Sequence, residues 1–195
     1  MILNSLLKSR RLTSELKKFK SDVIFDIVIY GSVIKGKEKI NDIDIAVILS
    51  QKTSLNQKLK LAEELKGKLE FLDIETDIKV IDITDLLDPA FIARQAILAE
   101  GFSLLNKKFL HEYFGFSVSI LFTYSLSDLT YSEKKMFYYA LKGRRGQKGL
   151  LELKNSKQIS NCAIEVPIIH SEEFRNLFME HNISFKTKNI LSYVI

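Results

Sequence analysis

The chain has 195 residues, of which 46% are hydrophobic and 27% are charged, and its formal net charge is +5. This balance is typical of a folded globular protein and excludes a wholly disordered chain. No stretch approaches the roughly 18 apolar residues of a membrane-spanning helix, and the basic residues near the N-terminus follow the first apolar run, so we expect neither a membrane partner nor a secretory signal.

The first half of the chain predicts an α/β unit built from short apolar strands and amphipathic helices. Strands are indicated by β-branched runs or by alternation of polar and apolar residues, and helices by a capping residue before an apolar periodicity. The predicted elements are, in order, an N-terminal helix over about residues 1–20, strands over 23–30 and 42–49, a helix from Thr53 or Ser54 to 69, a strand over 73–81, a helix over 89–100 with Pro89 in its first turn, and a strand over 102–105.

The second half predicts a smaller α+β domain over residues 107–195, so the first domain is expected to span residues 1–106. Its predicted elements are a strand over 117–124, a helix capped by Ser132 and ending at 141, a glycine-rich loop over 143–149, a strand over 162–168, a helix over 171–181 and a strand over 183–191.

Charge and cysteine content bear on location and partners. The single cysteine, Cys162, cannot form an internal disulfide, which favours a reducing cytoplasm. Residues 1–106 hold 16 Lys+Arg and 16 Asp+Glu, whereas residues 107–195 hold 13 and 8, so the whole excess of +5 falls in the second half. An excess of this size suits either a polyanionic partner or an ordinary solubilising surface.

A phosphate cradle beside paired carboxylates is the constellation that carries chemistry. Gly31 ends a strand where the backbone turns tightly, and Ser32 adds a hydroxyl beside backbone N–H groups that suit a phosphate. Asp42 and Asp44 alternate on a strand, so both project from one face, where a divalent cation such as Mg²⁺ would relieve their repulsion. Asp77, in the middle of the next strand, is the third candidate carboxylate, for a second ion or for activation of the nucleophile.

These residues resemble the DNA-polymerase-β-like nucleotidyltransferase superfamily, and most closely its minimal (MNT-type) members in archaea and bacteria. The resemblance covers about residues 20–106, with a spacer of nine residues from Ser32 to Asp42 where MNT antitoxins usually have ten. It rests on Gly31-Ser32, Lys35-Gly36, Asn41-Asp42-Ile43-Asp44, Thr76-Asp77-Ile78-Lys79-Val80 and Ile97-Leu-Ala-Glu100-Gly101.

The resemblance implies a fold and a site. The fold is a mixed, mostly antiparallel sheet flanked by helices, followed here by the smaller domain. The Gly31-Ser32 pair would grip the triphosphate, with Lys35 where many members carry an arginine. Asp42 and Asp44 would bind Mg²⁺ or Mn²⁺, and Asp77 would complete the set. The substrate would be a nucleoside triphosphate, with ATP as the first choice.

The acceptor is left open by the sequence, and RNA, a protein or a small molecule would each supply a hydroxyl. Arg144, Arg145 and Lys148 lie among glycines and are candidates for phosphate contacts, although a basic turn needs no partner. The aromatic run over residues 137–139 could either stack bases or belong to the core.

Two functions of different classes follow. The first is a metal-dependent enzyme that moves a nucleoside monophosphate from a triphosphate to a hydroxyl. The alternative is a catalytically weak, antitoxin-like or nucleic-acid-binding regulatory protein that keeps the nucleotidyltransferase fold.

Overall fold

The computed structural model describes residues 2–37 and 40–193. Met1 of the predicted N-terminal helix, and Glu38 and Lys39 of the predicted spacer, lie outside the described residues. The chain divides into a first unit, Met1–Gly115, and a second unit, Phe116–Ile195. In the part of the chain that the structure describes, no helix is long and apolar enough to cross a membrane.

The first unit contains a mixed sheet with the strand order β3-β2-β1-β4. β1 runs antiparallel to both β2 and β4, whereas β2 and β3 are parallel. The expected mixed α/β fold is thereby confirmed. Its elements are α1 (Ile2–Lys8), α2 (Arg10–Phe19), β1 (Ile24–Tyr30), α3 (Ser32–Lys35), β2 (Asp42–Leu49), α4 (Leu55–Leu69), β3 (Glu75–Asp82), α5 (Arg94–Glu100), β4 (Phe102–Ser103) and α6 (Leu110–Tyr113), with short 3₁₀ turns at Glu70–Leu72 and Ile83–Leu87.

Helices cover both faces of this sheet because its central strands are apolar on both sides. On one face, α2 and α4 bury Leu12, Leu16 and Leu65 against the sheet. On the other face, Ile97 of α5 and Leu110 of α6 pack against the sheet. The apolar cluster on this second face does not cover the edge of the sheet where β1 ends and β2 and β3 begin. We call the polar residues at that edge the open polar strip, and they include Asp42, Asp44, Asp77 and Lys79.

Three local predictions for the first unit were wrong. Ser9 has extended backbone and its Oγ accepts a hydrogen bond from the Leu12 amide at 3.2 Å, so the N-terminal helix is interrupted there. Asp73 adopts a left-handed conformation (φ 53°) and precedes the third strand. Pro89 is not helical, since Asp88 Oδ1 accepts from the Ala90 amide at 2.8 Å and this turn competes with the helix, which begins at Arg94.

A buried carboxylate joins β1 to the segment that follows α5. Asp26 is only 1% exposed. Its Oδ1 accepts hydrogen bonds from the Ile27 amide and the Ser103 hydroxyl, both at 2.7 Å. Its Oδ2 accepts from Asn106 at 3.4 Å and from the Tyr113 hydroxyl at 3.2 Å. These bonds, together with the burial of Leu110, place residues 107–115 within the first unit, whereas the sequence-based boundary falls after Asn106.

The second unit is built on an antiparallel sheet with the order β10-β5-β9-β8. Phe122 of β5 stacks on Phe178 of α9, and Phe178 lies against Phe137 of α7, so aromatic rings fill this core. The elements are β5 (Phe116–Tyr124), α7 (Tyr131–Lys142), β6 (Gly143–Arg144), β7 (Gln147–Lys148), α8 (Leu150–Leu153), β8 (Lys157–Ser160), β9 (Ala163–Pro167), α9 (Ser171–Glu180) and β10 (Phe185–Tyr193).

Two predictions for the second unit need correction. The cap of α7 is Thr130, not Ser132, because Thr130 and Glu133 form a reciprocal capping box. The basic segment over residues 143–149 is a β-hairpin, β6–β7, and not an irregular loop. Arg145 (φ 50°) and Gly146 (φ 84°) form its two-residue turn, and two successive positive φ angles suit the right-handed twist of a tight hairpin.

Candidate active site

The open polar strip lies where three strand ends meet. β1 ends at Tyr30 beside the start of β2, since the two strands are antiparallel and Tyr30 pairs with Asp44. β3 begins at the same edge because it runs parallel to β2, and there Asp44 pairs with Asp77. The strip therefore combines side chains that are more than thirty residues apart in sequence.

The sheet register brings the three predicted carboxylates to one face. Asp42 and Asp44 are two residues apart on β2 and so project to the same side. Asp77 is level with Asp44 on the neighbouring strand, and Glu75 is level with Asp42. Adjacent strands are roughly 4.8 Å apart, so the backbone positions of these acidic residues are neighbours at this edge of the sheet. Glu75 was not chosen from the sequence, although its alternation with Asp77 already placed it on this face.

Like charges and partial burial act on Asp44. Asp42 is exposed, whereas Asp44 is half-buried. Burial raises the pKa of Asp44, and the neighbouring Asp42 and Asp77 raise it further against the opposing effect of Lys79 and Lys35. The ionised form of Asp44 is therefore disfavoured by its surroundings, and a bound cation would relieve this cost.

Lys79 supplies a cation within the strip itself. It lies two residues after Asp77 on β3, on the same face, and its ammonium forms an ion pair with the Asp77 carboxylate. This contact raises the pKa of Lys79. Tyr30 is buried, its hydroxyl lies close to the Lys79 ammonium, and burial raises its pKa. The sequence had suggested no role for either Lys79 or Tyr30.

The residues of the strip fit a divalent ion in part. Mg²⁺ in proteins takes oxygen ligands and is held by one or two carboxylates together with waters and substrate phosphates, which Asp42 and Asp44 would satisfy. Over residues 2–37 and 40–193, no three acidic, histidine or cysteine side chains are grouped so that they could hold a metal ion. A ligand role for Asp77 would require its ion pair with Lys79 to open.

Gly31 lets the chain pass directly over the Asp44 carboxylate. Its backbone has φ 77° and ψ −138°. A Cβ atom at this position would collide with Asp44 Oδ2. The chain then enters the single turn of α3, which is fixed by the buried side chains of Val33 and Ile34. Ser32, the first residue of α3, is consequently held next to the carboxylates.

Lys35 ends α3 and is held by a glutamate that the sequence did not assign to the site. Its Nζ lies 2.9 Å from Oε1 of Glu100, at the C-terminal end of α5. The Glu100 side chain is only 7% exposed, and its Oε2 is buried with no hydrogen-bond partner among the residues that the structure describes. Because the two residues are far apart in sequence, only the fold reveals this pair.

The cations of the β6–β7 hairpin are largely engaged within their own unit. Lys148 forms an ion pair with Glu152 at 2.6 Å. The Arg144 guanidinium lies 4.5 Å from the centre of the Tyr139 ring. Arg145 is exposed at the turn. Phe137, considered earlier as a base-stacking residue, is fully buried in the aromatic core, so that interpretation was wrong for this residue.

Comparison with known proteins bears on the first unit. A family model described as "Polymerase beta, Nucleotidyltransferase" matches residues 11–109. A comparison with curated protein sequences gave no match.

Solved structures give distant likenesses. One is a toxin–antitoxin with AMP-PNP, at 24% identity and TM-score 0.35 over 47% of this chain and 71% of that chain. Another is a tri-AMPylated Shewanella oneidensis HEPN toxin in complex with MNT antitoxin, at 20% identity and TM-score 0.32 over 47% of this chain and 67% of that chain. A third is the toxin–antitoxin MntA–HepT, at 20% identity and TM-score 0.31 over 47% of this chain and 68% of that chain.

Proposed function

Since the chain belongs to the polymerase beta nucleotidyltransferase family, whose model matches residues 11–109, we propose that it transfers a nucleoside monophosphate from a nucleoside triphosphate to a hydroxyl acceptor. The observation that carries this proposal is the juxtaposition of the carboxylates with the Gly31–Ser32 turn. Nucleotidyl transfer needs a bound triphosphate next to an acidic metal site, and the Gly31–Ser32 turn and the carboxylates of the open strip would supply these two parts.

Asp42, Asp44 and Asp77 are the proposed metal-binding and catalytic residues, with Mg²⁺ or Mn²⁺ as the ion. When bound, the ion would neutralise charge on the triphosphate and on the reacting phosphorus. Asp42 and Asp44 would orient the phosphate oxygens through it. If its ion pair with Lys79 opens, Asp77 on β3 would become the third carboxylate of the metal site.

Gly31, Ser32 and Lys35 are the proposed nucleotide-binding residues, with ATP as the expected triphosphate. The bare Cα of Gly31 leaves room for a phosphate beside Asp44, and the Ser32 hydroxyl can donate to a phosphate oxygen. Lys35 would present its ammonium from a fixed position, because Glu100 holds it there. A preset donor costs less reorganisation when the substrate binds.

Arg144, Arg145 and Lys148 are the proposed acceptor-binding residues, for RNA or an acidic region of a protein. Positioning of the acceptor hydroxyl is a large part of catalysis in phosphoryl transfer. Of the three, Arg145 is the one with no ion pair or ring contact among the described residues, and it is exposed on a tight turn.

A catalytically weak regulatory protein that keeps this fold is the second candidate function. The ion pair between Asp77 and Lys79 favours it, since an internal cation occupies one carboxylate of the strip. Such a protein would bind a nucleotide or a nucleic acid without turnover.

The two functions are separated by one assay. The full chain is incubated with each labelled nucleoside triphosphate and Mg²⁺ or Mn²⁺, and label is sought on RNA, on the protein and on small molecules. We expect transfer by the wild type, loss of transfer in Asp42→Asn with an unchanged circular dichroism spectrum, and wild-type transfer in the matched control Asp22→Asn, which is exposed on the turn before β1. Nucleotide binding with no transfer under any condition would instead support the regulatory protein.

A further inference from the structure

Residues 1–106 have no net charge because a basic segment and an acidic remainder cancel each other. Residues 8–20 hold six Lys+Arg and one glutamate, a net charge of +5. The rest of residues 1–106 holds ten Lys+Arg and fifteen Asp+Glu, a net charge of −5. Positive charge is thus concentrated at the α1–α2 corner, and negative charge in the remainder, which includes the carboxylate strip.

Part of this positive charge lines a groove. Arg10, Ser14 and Lys17 are exposed and lie on the side of α2 opposite its buried stripe of Leu12 and Leu16. Together with Lys8 and Thr13 they line a cavity of about 320 Å³. Each of the lining side chains is a cation or a hydroxyl, so the groove offers hydrogen-bond donors and no carboxylate. We call it the α1–α2 groove.

No acidic side chain in the part of the chain that the structure describes forms an ion pair with the cations of the α1–α2 groove. Glu15 is the one acidic residue in residues 8–20, and it pairs with Lys18, outside the groove, at 2.8 Å. The guanidinium of Arg11 lies 4.2 Å from the centre of the Phe71 ring. Among the residues that the structure describes, Lys8, Arg10 and Lys17 form no ion pair, which leaves three free positive charges around one cavity.

The sequence places one of the groove cations, Arg10, against the helix dipole, together with Arg11. Arg10 and Arg11 open α2, and its first turn contains no acidic residue. The N-terminus of a helix carries partial positive charge, so acidic residues stabilise that end and basic residues do not. Arg10 therefore occupies a position that is unfavourable for helix stability, and an anion bound in the groove would compensate for it.

We propose that the α1–α2 groove binds phosphate groups of an RNA strand. Arginine, lysine and hydroxyl side chains are the donors that contact nucleic-acid phosphates. Arg10 and Lys17 are about 10 Å apart along the helix axis, given its 1.5 Å rise per residue, so they can reach separate phosphates of one strand. The choice of RNA rests on the proposed function, in which a hydroxyl on RNA is a candidate acceptor. The proposal that the groove binds phosphate does not depend on that function.

The test is a salt titration of RNA binding, measured by fluorescence anisotropy on the full chain with a labelled single-stranded oligoribonucleotide. EDTA is present and nucleotide is left out, so the measurement does not depend on catalysis. Arg10→Ala with Lys17→Ala should reduce the log–log salt slope by about 1.4, because each lost contact to a single strand removes about 0.7. The matched control is Lys66→Ala with Lys68→Ala on α4, where Lys66 borders the acidic residues Glu70, Asp73 and Glu75; it should leave the slope unchanged.

A charge reversal separates binding from folding. Arg10→Glu places an acidic residue in the first turn of α2 and should raise the melting temperature while it weakens RNA binding further than Arg10→Ala. The proposal is overturned if wild type does not bind RNA, if the Arg10 and Lys17 variants bind like wild type, or if both double variants lower the slope equally. It is also overturned if inorganic triphosphate loses affinity in the groove variant as RNA does. If the wild type binds RNA but shows no nucleotidyl transfer, that result would count against the proposed function and not against the phosphate site.

Discussion

Replacement of Gly31 by alanine tests whether the turn over Asp44 is built as described. Two effects act in the same direction. The positive φ of 77° disfavours any L side chain, at a cost of about 1–3 kcal/mol for such a backbone region. The new Cβ also collides with the Asp44 carboxylate, which must then move. For a chain of this length, each kcal/mol shifts the melting temperature by about 2–4 °C. The backbone strain alone should therefore lower the melting temperature by about 2–12 °C, and the collision should lower it further.

A double-mutant cycle assigns the collision to its partner. In an Asp44→Ala background the carboxylate is gone, and the remaining Cβ of residue 44 is 3.7 Å from the added methyl, an ordinary contact. Gly31→Ala should therefore destabilise the protein less in this background than in the wild type, and only the backbone strain should remain. Thermal or urea unfolding of the four proteins measures the coupling.

Gly67 provides the matched control. It lies in the exposed part of α4, and a Cβ there would meet nothing within 4 Å. Gly67→Ala should stabilise the chain by about 0.5–1 kcal/mol, because alanine loses less backbone entropy in a helix. The reasoning is refuted if Gly31→Ala unfolds at the wild-type temperature. If Gly31→Ala destabilises the protein equally with and without the Asp44 carboxylate, the collision is refuted and backbone strain alone accounts for the effect.

Three further predictions follow from the site and the hairpin. Because the pKa of Asp44 is raised in the folded protein, the native state binds this proton more tightly than the unfolded state, and the free energy of unfolding should fall as pH rises from the ordinary value of 3.8 through the folded pKa. Urea titrations at several pH values should show that Asp44→Asn lacks this pH-dependent component, and the same variant should abolish nucleotidyl transfer. Lys35→Met should cost about 3 kcal/mol in unfolding free energy because it leaves the buried Glu100 unpaired, and Glu100→Gln in the same chain should recover part of that loss; additive effects would contradict the pair. Arg144→Ala with Arg145→Ala should lower the salt slope of acceptor binding by about 0.7 to 0.9 per lost contact, with nucleotide affinity unchanged by calorimetry; an unaltered slope would exclude a phosphate contact there.

The sequence predicted those parts of the first unit that depend on local pattern. β1 and β2 are rich in isoleucine and valine, and Ser54 forms the capping box of α4. The shared face of Asp42 and Asp44 followed from strand alternation alone. Alignment of Asp77 with Asp44 required the register of two parallel strands, which no local pattern specifies. The roles of these residues in metal binding and catalysis stay predictions.

Long-range contacts account for what the sequence could not predict. The pairing of Lys35 with Glu100 depends on how α3 and α5 meet at the sheet edge. The ion pair of Asp77 with Lys79 is local, but an alternating strand does not indicate whether a carboxylate contacts a metal or a neighbouring lysine. The false helix start at Pro89 shows a side-chain-to-backbone hydrogen bond of Asp88 overriding a helix signal.

The hydrogen bonds of Asp26 also constrain how the first unit forms during synthesis. Its partners Ser103, Asn106 and Tyr113 lie 77, 80 and 87 residues further along the chain. Until those residues leave the ribosome, the Asp26 carboxylate on β1 lacks most of its donors, and β1 lacks its β4 neighbour. Closure of so long a loop is slow relative to local helix formation. A nascent chain arrested after residue 106 should therefore remain protease-sensitive, whereas one arrested with residues 1–115 outside the exit tunnel should resist digestion.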